Sequence, residues 1–252
     1  MKIFICVLVA IMVSVMIIGC VDFGDPTLSV DNSSGSSSTP SSSEEATSDE
    51  KEEAPVIDFD SYELRLVNPW NSIPEGFDPE LALINKAYAG FDNAQFDARA
   101  IDQLHAMCAA AKADGIKLII ISAYRTNDYQ TMLFNNKVTR VMNANPSLSR
   151  TQAEKEAEKV VARPGTSEHQ VGLAVDFNSV EDSFKTTDEY AWLVEHCTDY
   201  GFILRYSEEK QKTTGIIPEP WHYRYVGVDA AKKMKEENLC LEEFIKKYKV
   251  EE

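Results

Sequence analysis

The apolar positions along this chain fall into three regimes. They run from Ile3 to Ile18 broken only by Ser14, thin out between Val21 and Ile57, and from Asp58 onward recur with the periods of regular secondary structure. In the third regime Ile101, Leu104, Cys108 and Ala111 stand at i, i+3, i+7 and i+10, which predicts an amphipathic helix over 97–114 stopped by Gly115. Further helices are predicted at 79–89, 127–143, 148–161, 187–200, 229–237 and 241–248, that at 148–161 being charged on most faces. Strands are predicted at 62–70, where Asn68-Pro69 ends the run, at 117–122, 202–206 and 221–226, and around Asp176. A polar hairpin or loop fills 208–215. Elements that are neither repeated nor evenly spaced predict an α+β domain, a mostly antiparallel sheet with helices packed on it.

The strand around Asp176 carries the candidate chemistry. Val171, Leu173, Val175 and Phe177 alternate with Gly172, Ala174 and Asp176, so the bulky residues point into a core and the carboxylate stands on a face cleared of bulk. His169 precedes this strand, after a Pro164-Gly165 turn signal, and His222 lies on another alternating run. A hydrolytic zinc ion takes three ligands drawn from histidine and carboxylate and keeps a fourth position for water; His169, Asp176 and His222 match that count. Glu219, three residues before His222, is the candidate base for such a water. Positions i and i+3 of a straight strand point to opposite faces, so this reading requires the chain to bend at Pro220. The competing reading has Asp176 capping or ion-paired and both histidines merely packed. Arg125, at a strand-to-helix junction, is a candidate for binding an anionic oxygen or else a surface arginine. His105 and His196 lie on helical patterns near apolar stripes and read as structural.

Composition narrows the picture. The 252-residue chain carries a net charge of −16, which argues against nucleic acid as a partner. Nine acidic residues against the single Lys51 between Val21 and Ile57 supply about half of that charge, in a stretch rich in serine. Five cysteines without CxxC spacing offer no disulfide or zinc-knuckle framework, and Cys108, Cys197 and Cys240 read as buried small apolar residues. No Gly-rich phosphate loop or GxSxG elbow is present. Lys2, the apolar run and Gly19-Cys20 resemble a bacterial lipobox, which implies a signal peptide over 1–19 cut before a lipidated Cys20. An ordinary signal peptide or an uncleaved anchor are the alternatives. The expected organisation is then the leader at 1–19, a tether at 20–57 spanning roughly 30–35 Å as a flexible coil, and a catalytic domain at 58–252.

Ser167-x-His169-x-x-Gly172-x-Ala174-x-Asp176, followed by Glu219-x-Trp221-His222, resembles the signature of the VanY-type zinc D-alanyl-D-alanine carboxypeptidases within the M15 peptidases. Tyr124-Arg125-x-x-x-x-Gln130, the Arg163 to Ser167 lead-in and Leu66-Val67-Asn68-Pro69 share the resemblance, which runs from about Leu64 to Gly227. It implies the hedgehog/DD-peptidase-like zinc fold, one Zn2+ per chain on His169, Asp176 and His222, and Glu219 as base. It further implies that Arg125 holds the scissile carbonyl's developing charge or the substrate carboxylate, with Ser167, Gln130 and Tyr124 binding substrate. The implied reaction removes a terminal D-alanine from peptidoglycan stem peptides. An L,D-carboxypeptidase, a D,D-dipeptidase, a wall endopeptidase, or a zinc-containing wall-binding lipoprotein without turnover are the rivals. The expected location is outward on the bacterial cell membrane, held by the lipid on Cys20, with no nucleic acid and no protein partner implied.

Overall fold

The computed structural model describes residues 57–249. The expected leader and nearly all of the tether, Cys20 included, lie outside the described residues. In chain order the elements are strands β1 (Leu81–Leu83) and β2 (Gln95–Asp97), helix α1 (Ile101–Ala113), strand β3 (Ile120–Ser122), helices α2 (Asn127–Ala144) and α3 (Arg150–Ala157), and strand β4 (Ala174–Phe177). Helix α4 (Asp188–His196), strand β5 (Phe202–Tyr206), the single turn α5 (Gln211–Thr214), strand β6 (Glu219–Tyr225) and helices α6 (Val228–Glu236) and α7 (Leu241–Tyr248) complete the domain. β3, β4, β6 and β5 form one antiparallel sheet in that order, so the α+β expectation holds.

Alternation along the strands divides this sheet into an apolar and a polar face. Val175 and Phe177 of β4, Tyr223 and Tyr225 of β6 and Phe202 of β5 join the main core, where they meet Leu104, Met107, Cys108 and Ala111 of α1. Asp176, His222, Arg224 and Arg205 leave the same strands in the other sense, and all four are buried. A second cluster packs α6 and α7 through Ala231, Met234, Leu241 and Phe244 against Leu64 and Ile203. The charged segment around 148–161 folds as α3, started by a capping box between Ser149 and Gln152. Its Ala153 and Ala157 pack on Phe134 and Val138 of α2.

Two predicted elements are not formed. Residues 79–89 hold β1 and turns rather than a helix, because β2 takes the backbone groups: Leu81 pairs with Asp97, and Ile84 N donates to Ala94 O at 2.9 Å. Residues 62–70 form no strand. The carbonyls of Glu63 and Arg65 accept from Arg224, each at 2.9 Å, and Asn68 Oδ1 caps a turn by accepting from Trp70 N and Asn71 N.

Candidate metal centre

β4 begins later than the alternation suggests, and the reason bears on the site. Residues Glu168–Val171 form a 3-10 turn that presents His169, and Gly172 ends it with φ of 76° before β4 starts at Ala174. The backbone angle calls for glycine there, and a Cβ would also press on Leu81 Cδ2 at 3.0 Å. Across the sheet, Asp176 stands directly opposite His222 on β6 and beside Ser122 on β3. The bend required at Pro220 is present as an irregularity of register. Leu204 pairs with Tyr223 and Tyr206 with Glu219, so β6 advances four residues while β5 advances two. This bulge brings Glu219 to the same side as His222, with Oε2 3.7 Å from His222 Nδ1.

His169 Nε2 lies 3.3 Å from Asp176 Oδ2, and His222 Nδ1 lies 3.1 Å from Asp176 Oδ1. The three ligand atoms fall within 4.8 Å of one another. Tetrahedral zinc with bonds of about 2.0–2.1 Å sets its ligand atoms about 3.3 Å apart, and the two histidine–carboxylate separations lie near that value. Both rings are held for this purpose. His169 Nδ1 lies 2.8 Å from Ala123 O, which can only accept, so the proton sits there and Nε2 keeps its lone pair. His222 Nε2 lies 3.4 Å from Glu168 Oε2, which frees Nδ1 on the Asp176 side.

Burial and charge complete the fit. Burial, aided by the Arg125 charge, lowers the pKa of His169 to about 4, so the imidazole is neutral at physiological pH. For His222 burial works the same way, but hydrogen bonds to Asp176 and Glu168 outweigh it and raise the pKa to about 9. A proton on His222 thus stands where the surrounding carboxylates call for a cation. Glu219 is pushed up to about 8, chiefly by burial, with His222 opposing and the Asp176 carboxylate adding. Placing a dication beside Glu219 would draw that value down.

The cleft over these groups has a volume of about 560 Å³ and is lined by Arg125, Ser167, His169, Asp176, Glu219, Trp221 and His222 among others. Arg125 reaches it from the β3–α2 junction: NH2 donates to Asp176 Oδ2 at 2.9 Å and to Ser122 Oγ at 2.7 Å. Two expected substrate contacts do not line it. Gln130 is fully buried, with Nε2 donating to Ala162 O at 2.7 Å and Oε1 accepting from Arg125 NH1 at 3.4 Å, so it braces Arg125 at the cleft edge. Tyr124, two residues past the end of β3, is half-buried outside the cleft lining. Its phenol pKa is raised by burial and by the charge of Asp78.

Glu168 is the functional neighbour that sequence reasoning missed. Its Oε1 accepts from Arg205 Nε at 2.8 Å and Arg224 NH1 at 3.0 Å, all three side chains being fully buried. Burial alone would raise its pKa, but the two guanidinium groups hold it well below the usual carboxylate range. The available signal was Arg205 and Arg224 themselves, each set between aromatic or aliphatic neighbours on its strand.

Residues 93–228 match the family described as VanY: D-alanyl-D-alanine carboxypeptidase. The chain is 40% identical over 188 residues to a D-alanyl-D-alanine carboxypeptidase of Enterococcus faecalis, covering 75% of this chain and 67% of that protein. Two solved structures of VanY proteins share the fold. One, a variant of a vancomycin-resistance D,D-pentapeptidase in complex with Zn(II), is 41% identical, covers 73% of this chain and 99% of its own, and has a TM-score of 0.64. The other, VanYB in complex with D-alanine-D-alanine, is 40% identical, covers 75% and 99%, and has a TM-score of 0.66. The LD-carboxypeptidase LdcB is 34% identical, covering 72% of this chain and 85% of its own with a TM-score of 0.63. With a donor set that fits zinc and a matched segment that contains all of it, the chain belongs to the VanY family of D-alanyl-D-alanine carboxypeptidases.

Proposed function

We propose that this protein is a zinc-dependent D,D-carboxypeptidase that removes the terminal D-alanine from peptidoglycan stem peptides. The observation that carries this reading is the presence of Glu219 on the same side of β6 as His222, 3.7 Å from its Nδ1, beside a donor set that fits zinc. His169 Nε2, Asp176 and His222 Nδ1 would hold the ion. When bound, zinc supplies the Lewis acidity that lets a water molecule lose its proton near neutral pH. Glu219 takes that proton and passes it to the departing D-alanine amine. Arg125, already facing the cleft, offers its NH groups to the charge that develops on the scissile carbonyl oxygen. Ser167, buried at the cleft wall, would bond the substrate's C-terminal end, a role its place in the lining supports.

The likeness to LdcB favours a second reading, an L,D-carboxypeptidase acting on tetrapeptides with the same groups. Incubating the purified protein with pentapeptide and tetrapeptide stems and weighing the products separates them. Loss of one D-alanine from the pentapeptide is expected; loss of one residue from the tetrapeptide only would sink the D,D assignment. The Gly19-Cys20 lipobox and acidic tether support a protein anchored by lipid on the outer face of the cell membrane, within reach of wall precursors. Cys20→Ser should then move it from the membrane to the soluble fraction; retention would argue for an uncleaved anchor.

A further inference from the structure

The cleft extends beyond the metal ligands along one face of α2. Leu133, Lys137 and Arg140 line it at i, i+4 and i+7, a stripe within roughly 60° of arc at 100° per residue. The neighbouring stripe of the same helix, Phe134 and Val138, is spent on α3. Lys137 is half-buried and Arg140 exposed, and neither has an ion-pair or hydrogen-bond partner among the described residues. The other cations around the site are engaged: Arg125 by Asp176, Arg163 by Glu154 and Glu158, Arg205 and Arg224 by Glu168. Two unpaired cations therefore face a cleft whose floor is acidic. The acidic residues Glu181 and Asp182, on the loop after β4, line the same cleft, Asp182 lying 3.9 Å from Lys185.

Position along the helix says which part of a peptide these cations can meet. Gln130, which braces Arg125 at the metal end, lies seven and ten residues before Lys137 and Arg140. At 1.5 Å per residue the two cations stand about 10 and 15 Å from that end. An extended peptide laid along α2 advances about 3.3 Å per residue, so they would face the region some three to five residues before the cut bond. A carboxylate borne by a residue in that region would meet the two cations, and its amide would not pair with them.

We propose that Lys137 and Arg140 form an anion subsite that takes a carboxylate borne upstream of the scissile bond, so the enzyme discriminates stems with a free carboxylate there from amidated ones. This deepens the carboxypeptidase reading and rests on it for the direction of the peptide. The test uses two pentapeptide stems differing only in carboxylate or carboxamide at that residue, with the wild-type protein, K137Q/R140Q and the charge-conserving K137R/R140K. Wild type should prefer the carboxylate in kcat/KM by about three- to tenfold at low salt, through KM, the scale of two partly exposed charge contacts. K137Q/R140Q should lose the preference and K137R/R140K keep it, with thermal unfolding checking that all three are folded. Equal kcat/KM for both stems in wild type, a preference for the amide, or discrimination that survives in K137Q/R140Q would each overturn the subsite. Calorimetric binding of the same stems separates the two readings: a carboxylate preference in binding without any turnover rejects the carboxypeptidase and leaves the subsite standing.

Discussion

Replacing Glu168 by glutamine removes one charge and almost no volume, yet it strikes the metal centre and the fold through the same atoms. In the native protein Oε1 accepts from Arg205 and Arg224, while Oε2 faces His222 Nε2 at 3.4 Å. An amide must turn its NH2 towards one of these donors. Towards His222 it forces the ring proton onto Nδ1, the atom that faces Asp176 and would bind the ion. Losing such an outer partner typically weakens metal binding about 10–100-fold, or about 1.4–2.8 kcal/mol. Breaking a buried ion pair costs about 3–5 kcal/mol. The lower end is expected here, because Arg205 keeps Glu242 and Arg224 keeps the carbonyls of Glu63, Arg65 and Tyr225. For a domain of this size about 3 kcal/mol lowers Tm by roughly 6–12 °C. Zinc affinity by competition with a chromophoric chelator, and Tm of the chelator-stripped protein, read the two effects separately. Undiminished zinc affinity in a folded E168Q protein would refute the orienting role; an unchanged Tm would refute the burial argument.

Glu219→Ala should keep zinc but lower kcat by on the order of 10²-fold or more, since it removes the proton carrier and no ligand; unchanged turnover would remove Glu219 from the mechanism. Glu242 links stability to pH. Burial opposes its charge, but Arg205 at 2.6 Å lowers its pKa, so its stabilisation is complete above the unfolded value of about 4.3 and fades as pH falls from there through the folded value. Glu242→Gln should accordingly flatten the acid side of a plot of Tm against pH between about 3 and 5. Cys108, Cys197 and Cys240 are free and buried, and burial pushes their thiols up to about 12, 12 and 11. Thiol reagents at pH 8 should label them slowly in native protein and fully in denaturant; rapid native labelling of all three would contradict the packing.

Periodicity along the chain was enough to determine α1, the apolar face of β4 and the carboxylate on its other side. Those depend on which way each side chain leaves its own backbone, and that is local. The residue types of His169, Asp176 and His222 likewise offered a donor set for zinc, and the resemblance of the surrounding motif singled it out over packed histidines. What the tertiary structure decided was who meets whom. The register that sets Asp176 opposite His222, and the bulge that turns Glu219 to the same side, depend on pairing between strands some fifty residues apart. So does the burial of Glu168 between Arg205 and Arg224, where long-range packing repays a desolvation cost that no local pattern records. The same cause misled the reading of 79–89 and 62–70, whose backbone groups are claimed by β2 and Arg224. It also set Gln130 against Arg125 and the carbonyl of Ala162, the latter 32 residues away along the chain.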